Sequence, residues 1–272
     1  MNILCSPYRL WPVWAIFSPR LWRSLTRSWR SMTATITATF LLFFCSISLS
    51  AQSPYQLKTE RELGLLGASA GMNGLSAYLH AKTMILQPED IAQLDESKIW
   101  GIDRWVTQNF SVPAQKSSDV FLYSSFFLPF TLMADQPARR DFTKVGVMYM
   151  ETLLLNFGAT NLTKSAVRRP RPFMYNPSEE IPMSLKMKKS AQYSFFSGHT
   201  SFTAAMSFFT AKLHSDYYPD SNASPVIWGL AAAIPAFTGL QRIRGGKHFL
   251  TDVIVGYVVG AGIGILVPEL HN

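Results

Sequence analysis

Six apolar stretches follow residue 62: Leu63–Leu79, Val120–Met133, Val145–Leu155, Ser201–Leu213, Pro225–Leu240 and Val253–Val267. A chain built this way has two ways to fold. It can span a membrane several times, or it can form a soluble helical bundle with apolar inner faces. Most of the stretches are shorter than the ~20 residues that cross a bilayer comfortably. Glu151 and Asn156 interrupt the third, and Pro129 and Pro235 sit inside the second and fifth. Polar groups that face a bundle interior explain such interruptions. Val253–Val267 is apolar all round and carries no stripe, which favours membrane spans. The expectation is an all-α bundle of about six helices, transmembrane.

Composition supports this choice. Apolar residues make up 48% and charged residues 15%, against about 25% charged in ordinary soluble domains. Extended disorder and collagen-like structure are excluded. The net charge of +8 is unevenly placed, because Arg9, Arg20, Arg23, Arg27 and Arg30 lie in the first 52 residues, where there is no acid. The remainder is nearly balanced, so no nucleic-acid partner is expected. Cys5 and Cys45 also fall in that stretch. The rest of the chain therefore has no disulfide, no thiolate nucleophile and no cysteine-ligated zinc.

Residues 1–51 read as an address. Arg23, Arg27 and Arg30 precede an apolar run from about Ile36 to Leu49, and Ser50 and Ala51 are small. This describes a secretory signal peptide, with an uncleaved N-terminal anchor as the alternative. Residues 52–118 are expected to form one helix and a polar segment. In that segment Pro88-Glu89-Asp90 signals a helix start. Ile91, Leu94, Ile102, Trp105 and Val106 continue an imperfect stripe with Pro113 beyond its end. The segment lies either at a membrane surface or on a protein core. Residues 119–272 form the expected functional core.

Three motifs in that core sit at helix ends. The first runs from Lys164 to Arg168-Arg169-Pro170-Arg171-Pro172, where the prolines end a helix and extend the backbone. Guanidinium groups on such a chain suit bidentate capture of phosphate. The second is Ser194-Phe195-Phe196-Ser197-Gly198-His199, a helix start that offers a hydroxyl, backbone N–H groups and an imidazole. The third runs from Gln241-Arg242 through Gly245-Gly246 to His248 and Asp252. On a helix, His248 and Asp252 would share a face and hydrogen-bond, leaving the other ring nitrogen free as a nucleophile. The two glycines permit a bend that brings Arg242 and His248 to one point. Each motif alone has an ordinary structural explanation; the ordered set does not.

Lys164-x6-Arg171-Pro172, Ser197-Gly198-His199 and Arg242-x5-His248-x3-Asp252, in this order, resemble the type 2 phosphatidic acid phosphatase superfamily. That superfamily includes membrane lipid phosphatases, bacterial non-specific acid phosphatases and vanadium-dependent haloperoxidases. The resemblance covers roughly residues 119–272. Phe196 stands where the family usually has proline, and Gln241 where it usually has serine.

The resemblance implies that Lys164, Arg171, Ser197, Gly198 and Arg242 bind the phosphate. His248 would attack phosphorus to form a phosphohistidine, Asp252 would orient it, and His199 would protonate the leaving group. It implies no metal and no cofactor. Arg168, Arg169 and Arg244 have no motif position and are expected to be solvated or headgroup-facing. The implied activity is hydrolysis of a phosphate monoester or pyrophosphate, most naturally on a membrane lipid. The implied partners are that lipid and the membrane, with no obligate protein partner. The implied location is the bacterial inner membrane with the site facing the periplasm. Arg139, Arg140 and Lys144, which the positive-inside tendency places in the cytoplasm, support that orientation. A soluble periplasmic acid phosphatase, a vanadium haloperoxidase and a non-catalytic phosphate-binding membrane protein are the alternatives.

Overall fold

The computed structural model describes residues 53–272, so the expected signal or anchor over residues 1–51 lies outside the described residues. Six helices of fourteen or more residues make up its frame: α1 (Thr59–Ala81), α2 (Val112–Ser125), α3 (Phe142–Val167), α4 (Gly198–Tyr217), α5 (Ser224–Arg244) and α6 (Leu250–His271). Each of the six apolar stretches falls on one of them, the second only in part. There α2 begins at Val112, where the Ser111 hydroxyl accepts from the Ala114 N–H and Pro113 occupies the first turn. Pro113 therefore opens this helix. It ends at Ser125, and Leu128–Ala134 continues as a 3₁₀ segment containing Pro129.

The helices alternate in direction. Near the start of α1, Arg61 Nη1 donates to the carbonyl of Leu270, at the end of α6 (2.5 Å). Near its other end, Ser76 meets Ser165 of the last turns of α3 (3.3 Å). Tyr217, ending α4, donates to Asp141 just before α3 (3.1 Å). Arg242 in the last turn of α5 donates to Ser118 of α2 (3.1 Å). So α1, α3 and α5 run toward one end of the bundle, and α2, α4 and α6 run away from it. All three motifs lie at that one end.

Helix α4 is the central element, and α6 lies against it at backbone contact. A Cβ on Gly256, Gly260 or Gly264 would stand 2.5, 2.0 and 2.3 Å from the carbonyl oxygens of Ser197, Ser201 and Ala205. Three glycines four residues apart thus form a flat track along α6 for α4. The apolar all-round reading of Val253–Val267 missed this track, since glycine registers as neither polar nor strongly apolar.

The polarity of the bundle is inverted at several levels. Glu151, Asn156, Thr200, Ser201 and Thr203 are buried, and the Ser201 hydroxyl donates to Asn156 Oδ1 (2.6 Å). Large apolar side chains instead face outward, among them Leu63 of α1, Val226 of α5 and Val258 of α6, each more than 60% exposed. Among the described residues α5 and α6 are long and apolar enough to cross a membrane.

The polar segment before α2 is a chain of short turns, Pro88–Ala92, Glu96–Lys98, Gly101–Arg104 and Trp105–Gln108. It folds over the motif-bearing end. Ile91 packs with Phe173, Met174 and Ile181, and Ile99 and Val106 pack with Ile243, Phe249 and Val253. Trp100 and Trp105 remain outside. The segment is thus packed on protein through one side.

Candidate active site

Lys164 stands in the last turn of α3, and its Nζ donates to the Tyr193 carbonyl (3.0 Å). Arg168 closes the helix in the left-handed conformation (φ 50°). Arg171 follows in extended backbone, as its flanking prolines require, and its N–H donates to Ala191 O (2.8 Å). Ser197 is the N-cap of α4, with its hydroxyl accepting from the Thr200 N–H. Gly198 and His199 form the first turn. A Cβ on Gly198 would lie 3.7 Å from Lys164 Cε, so the first and second motifs touch. The first-turn N–H groups of such a helix have no intrahelical partner and present a positive end.

The third motif reaches the same place from α5. Gly246 turns the chain at φ +66°, where a Cβ would stand 2.1 Å from the Asn109 carbonyl oxygen. Gln115 Nε2 holds the Gly245 carbonyl (2.9 Å) and the Phe173 N–H holds that of Gly246 (3.1 Å). This loop delivers His248, which is buried. Burial pushes the His248 pKa well below the usual imidazole range, and the charges of Lys164, Arg171 and Arg242 push it further. All three cations therefore bear on one neutral imidazole. Lys247 joins them. Burial, then Arg171 and Arg242, bring its pKa down to about 8.

The buried Nε atoms of Arg171 and Arg242 have no hydrogen-bond partner. A guanidinium taken out of water with an N–H unpaired is costly unless an anion completes it. The arrangement can bind a multiply charged oxyanion beside a neutral histidine.

Two expectations about side chains need correcting. His248 and Asp252 do not form a helical pair. His248 precedes the helix, which starts at Leu250, and its Nδ1 lies 3.7 Å from Asp252 Oδ2. The ring instead meets the Ser194 carbonyl at 2.7 Å. A carbonyl only accepts, so Nδ1 carries the hydrogen and Nε2 keeps its lone pair. Asp252 spends its oxygens on the Phe249 N–H (2.9 Å), on the Ser194 hydroxyl and on Arg169 (2.6 Å). The second correction is Arg169 itself. It is neither solvated nor free for headgroups, because it bridges Asp252 and Asp103 (2.8 Å) and lies 4.0 Å over the Phe249 ring.

Asp119 is a residue that the motifs did not disclose. Its Oδ1 lies 2.7 Å from His199 Nε2 and 3.5 Å from Arg242 Nη1. It is the lone acid of α2, placed just before an apolar run, and nothing else in the sequence marks it. Asp103 likewise lies in the short-turn segment and is recognisable only once that segment folds over the loop, where it also accepts from the Thr251 N–H (3.0 Å).

Residues 145–272 match the family model described as the PAP2 superfamily. That match spans all three motifs, from Lys164 to Asp252. A Porphyromonas gingivalis protein named lipid A 4'-phosphatase is 24% identical over 142 residues, which cover 52% of this chain and 57% of that protein. The chain thus spans little more than half the length of this relative. A crystal structure of a transmembrane PAP2-type phosphatidylglycerolphosphate phosphatase from Bacillus subtilis aligns over 76% of this chain and 96% of its own, at 20% identity and a TM-score of 0.43.

Proposed function

We propose that this protein is a member of the PAP2 superfamily and hydrolyses a phosphate monoester or pyrophosphate on a membrane lipid, through a phosphohistidine on His248 and without a metal. The observation that carries this reading is the meeting of three cations, two of them with unpaired buried N–H groups, around a histidine whose Nε2 is free. Phosphoryl transfer needs charge neutralisation, an aligned nucleophile and an acid for the leaving group.

Lys164, Arg171 and Arg242 neutralise the phosphoryl oxygens, with Ser197 Oγ and the Gly198 N–H completing the cradle. His248 Nε2 attacks phosphorus and the bond to the leaving oxygen breaks. His199 gives that oxygen its proton; burial and Arg242 bring its pKa down to about 3, and Asp119 opposes them in favour of the imidazolium form. His199 then takes a proton from water, whose oxygen attacks phosphorus. The P–N bond breaks, and inorganic phosphate and free His248 are released. Asp252 acts through Ser194, whose hydroxyl it holds and whose carbonyl sets the His248 tautomer. Its nearby charge also stabilises the positively charged phosphohistidine.

The outward apolar side chains and inward polar ones support a membrane-embedded bundle. Lys144 sits in the first turn of α3, with Arg139 and Arg140 in the short helix just before it, about 30 Å along α3 from Lys164 at 1.5 Å per residue. That distance matches the hydrocarbon thickness, and with the positive-inside tendency it supports a site on the periplasmic side. A groove of about 400 Å³, lined by Asn73, His80, Phe157, Asn161 and Tyr193, opens between α1 and α3 onto Lys164. It offers a lipid headgroup a path from the bundle's flank.

Purified protein assayed for phosphate release from lipid A, phosphatidic acid, phosphatidylglycerol phosphate and undecaprenyl pyrophosphate tests the reading. The relative's name puts lipid A first in that panel. Release from at least one of them, lost in His248→Ala, is expected. Release from none would reject the lipid substrate.

A further inference from the structure

At the other end of the bundle, three helices bring together a second cluster that the phosphatase chemistry does not use. Glu62 comes from the first turn of α1, Glu151 from the middle of α3 and His271 from the last turn of α6. His271 Nε2 lies 2.9 Å from Glu62 Oε2 and 3.2 Å from Glu151 Oε2, and one ligand atom from each residue falls within 4.8 Å of the others. Glu151 and His271 are buried, at 1% and 0% exposure, and neither oxygen of Glu151 has a hydrogen-bond partner.

We propose that Glu62, Glu151 and His271 bind one first-row divalent cation, of the zinc kind, which ties α1, α3 and α6 together away from the catalytic end. His271 Nδ1 faces the Val267 carbonyl at 2.7 Å, which fixes its hydrogen there and turns the Nε2 lone pair toward the two carboxylates. This is the backing that metal-bound imidazoles usually have. Ligands about 2.0–2.1 Å from a tetrahedral zinc stand about 3.3 Å from one another, and the spacings around Nε2 are close to that value. One imidazole with two carboxylates suits zinc or its neighbours better than calcium or magnesium, which prefer oxygen alone. Arg61 Nη2 holds the other oxygen of Glu62 (2.7 Å), orienting that carboxylate from behind. A buried carboxylate that faces a second carboxylate and has no closer partner than His271 Nε2, at 3.2 Å, is costly, and a cation supplies the missing partner.

The test uses the full chain in detergent, with Cys5→Ser and Cys45→Ser introduced so that thiols cannot compete. Protein stripped with a chelator is reloaded with zinc, desalted and measured by elemental analysis. About one zinc per chain is expected, with a higher thermal midpoint than the stripped protein. Glu151→Gln and His271→Gln should each weaken zinc binding at least tenfold and remove the zinc-dependent rise. Phosphate release at a temperature where the stripped protein stays folded should not change with zinc. Zinc below a tenth of an equivalent in the parent protein overturns the proposal, whether or not the variants fold. So does undiminished zinc binding in folded Glu151→Gln and His271→Gln. The cluster would then be held by an imidazolium proton alone.

Discussion

Arg169 Nη1 lies 2.6 Å from Asp252 Oδ1, and this ion pair, together with the Phe249 N–H and the Ser194 hydroxyl and not a bond to His248, fixes the Asp252 carboxylate. The pair is half of a chain that runs from Asp103 through Arg169 to Asp252, on to Ser194 and so to the His248 ring. Breaking one partner of a buried pair costs about 3–5 kcal/mol. Asp252→Asn should therefore lower both the thermal midpoint and the turnover. Arg169→Met should do the same although it touches no substrate. In a double-mutant cycle read by denaturant unfolding, the two losses should add to clearly more than the double variant shows. Simple additivity would mean that the pair does not couple Asp103 to the loop.

The two histidines should separate by leaving group. General acid catalysis contributes about 10²–10⁴-fold, and less when the leaving group is a stable anion. His199→Ala should lose most turnover of an alkyl phosphate. With p-nitrophenyl phosphate it should give a burst of phenol and then stall as phosphohistidine, because water also needs His199. His248→Ala should be inactive on both. Equal losses on both substrates with no burst from His199→Ala would reverse the assignments.

Asp119→Asn removes the carboxylate that faces His199 and Arg242. Alkyl phosphate turnover should fall about 10-fold or more, toward the range of His199→Ala, while the aryl burst survives. An aryl burst lost together with alkyl turnover would place Asp119 in phosphate binding instead.

The His248 environment makes a stability prediction whose sign can be worked out. Its folded pKa lies well below the ordinary value of about 6.5, so below pH 6.5 the unfolded chain binds a proton that the folded one does not. Stability should fall as pH drops through that window, by about 1.4 kcal/mol from this group at pH 5.5. Thermal midpoints of wild type and His248→Gln at pH 7.5 and 5.5 check it. The variant should lose about 2–4 °C less than wild type, the shift expected of that energy in a chain of this size. Equal losses would show that His248 is not held neutral.

The glycine track gives a packing prediction. Gly260→Ala places a methyl 2.0 Å from the Ser201 carbonyl oxygen, with backbone on both sides, whereas the site of Gly262 is open. Gly260→Ala should destabilise by more than about 2 kcal/mol. Gly262→Ala should be neutral or gain up to ~1 kcal/mol from helix propensity. Thermal midpoints that move together in the two variants would remove close α4–α6 contact from the account.

The helices were legible because long apolar runs dominate their own stretch of chain, and the motif ends because proline and glycine act locally. Arg171 in extended backbone and the bend at Gly246 follow directly from those residue types. The His248–Asp252 pairing was misread because spacing i, i+4 brings side chains together only inside a helix, and this helix begins two residues after His248. Arg169, Asp103 and Asp119 were out of reach for a different reason. Their partners are 66 to 148 positions away in the chain, so only tertiary folding joins them. Glu62 and His271, 209 positions apart, belong to the same class.

Rapid quenching of the enzyme with a phosphorus-labelled substrate, followed by peptide mapping under alkaline conditions, tests the central claim most directly. The account predicts an acid-labile, base-stable label on the peptide containing His248, enriched in His199→Ala and absent from His248→Ala. Phosphate released at the wild-type rate by His248→Ala, or a label on any other residue, would contradict it.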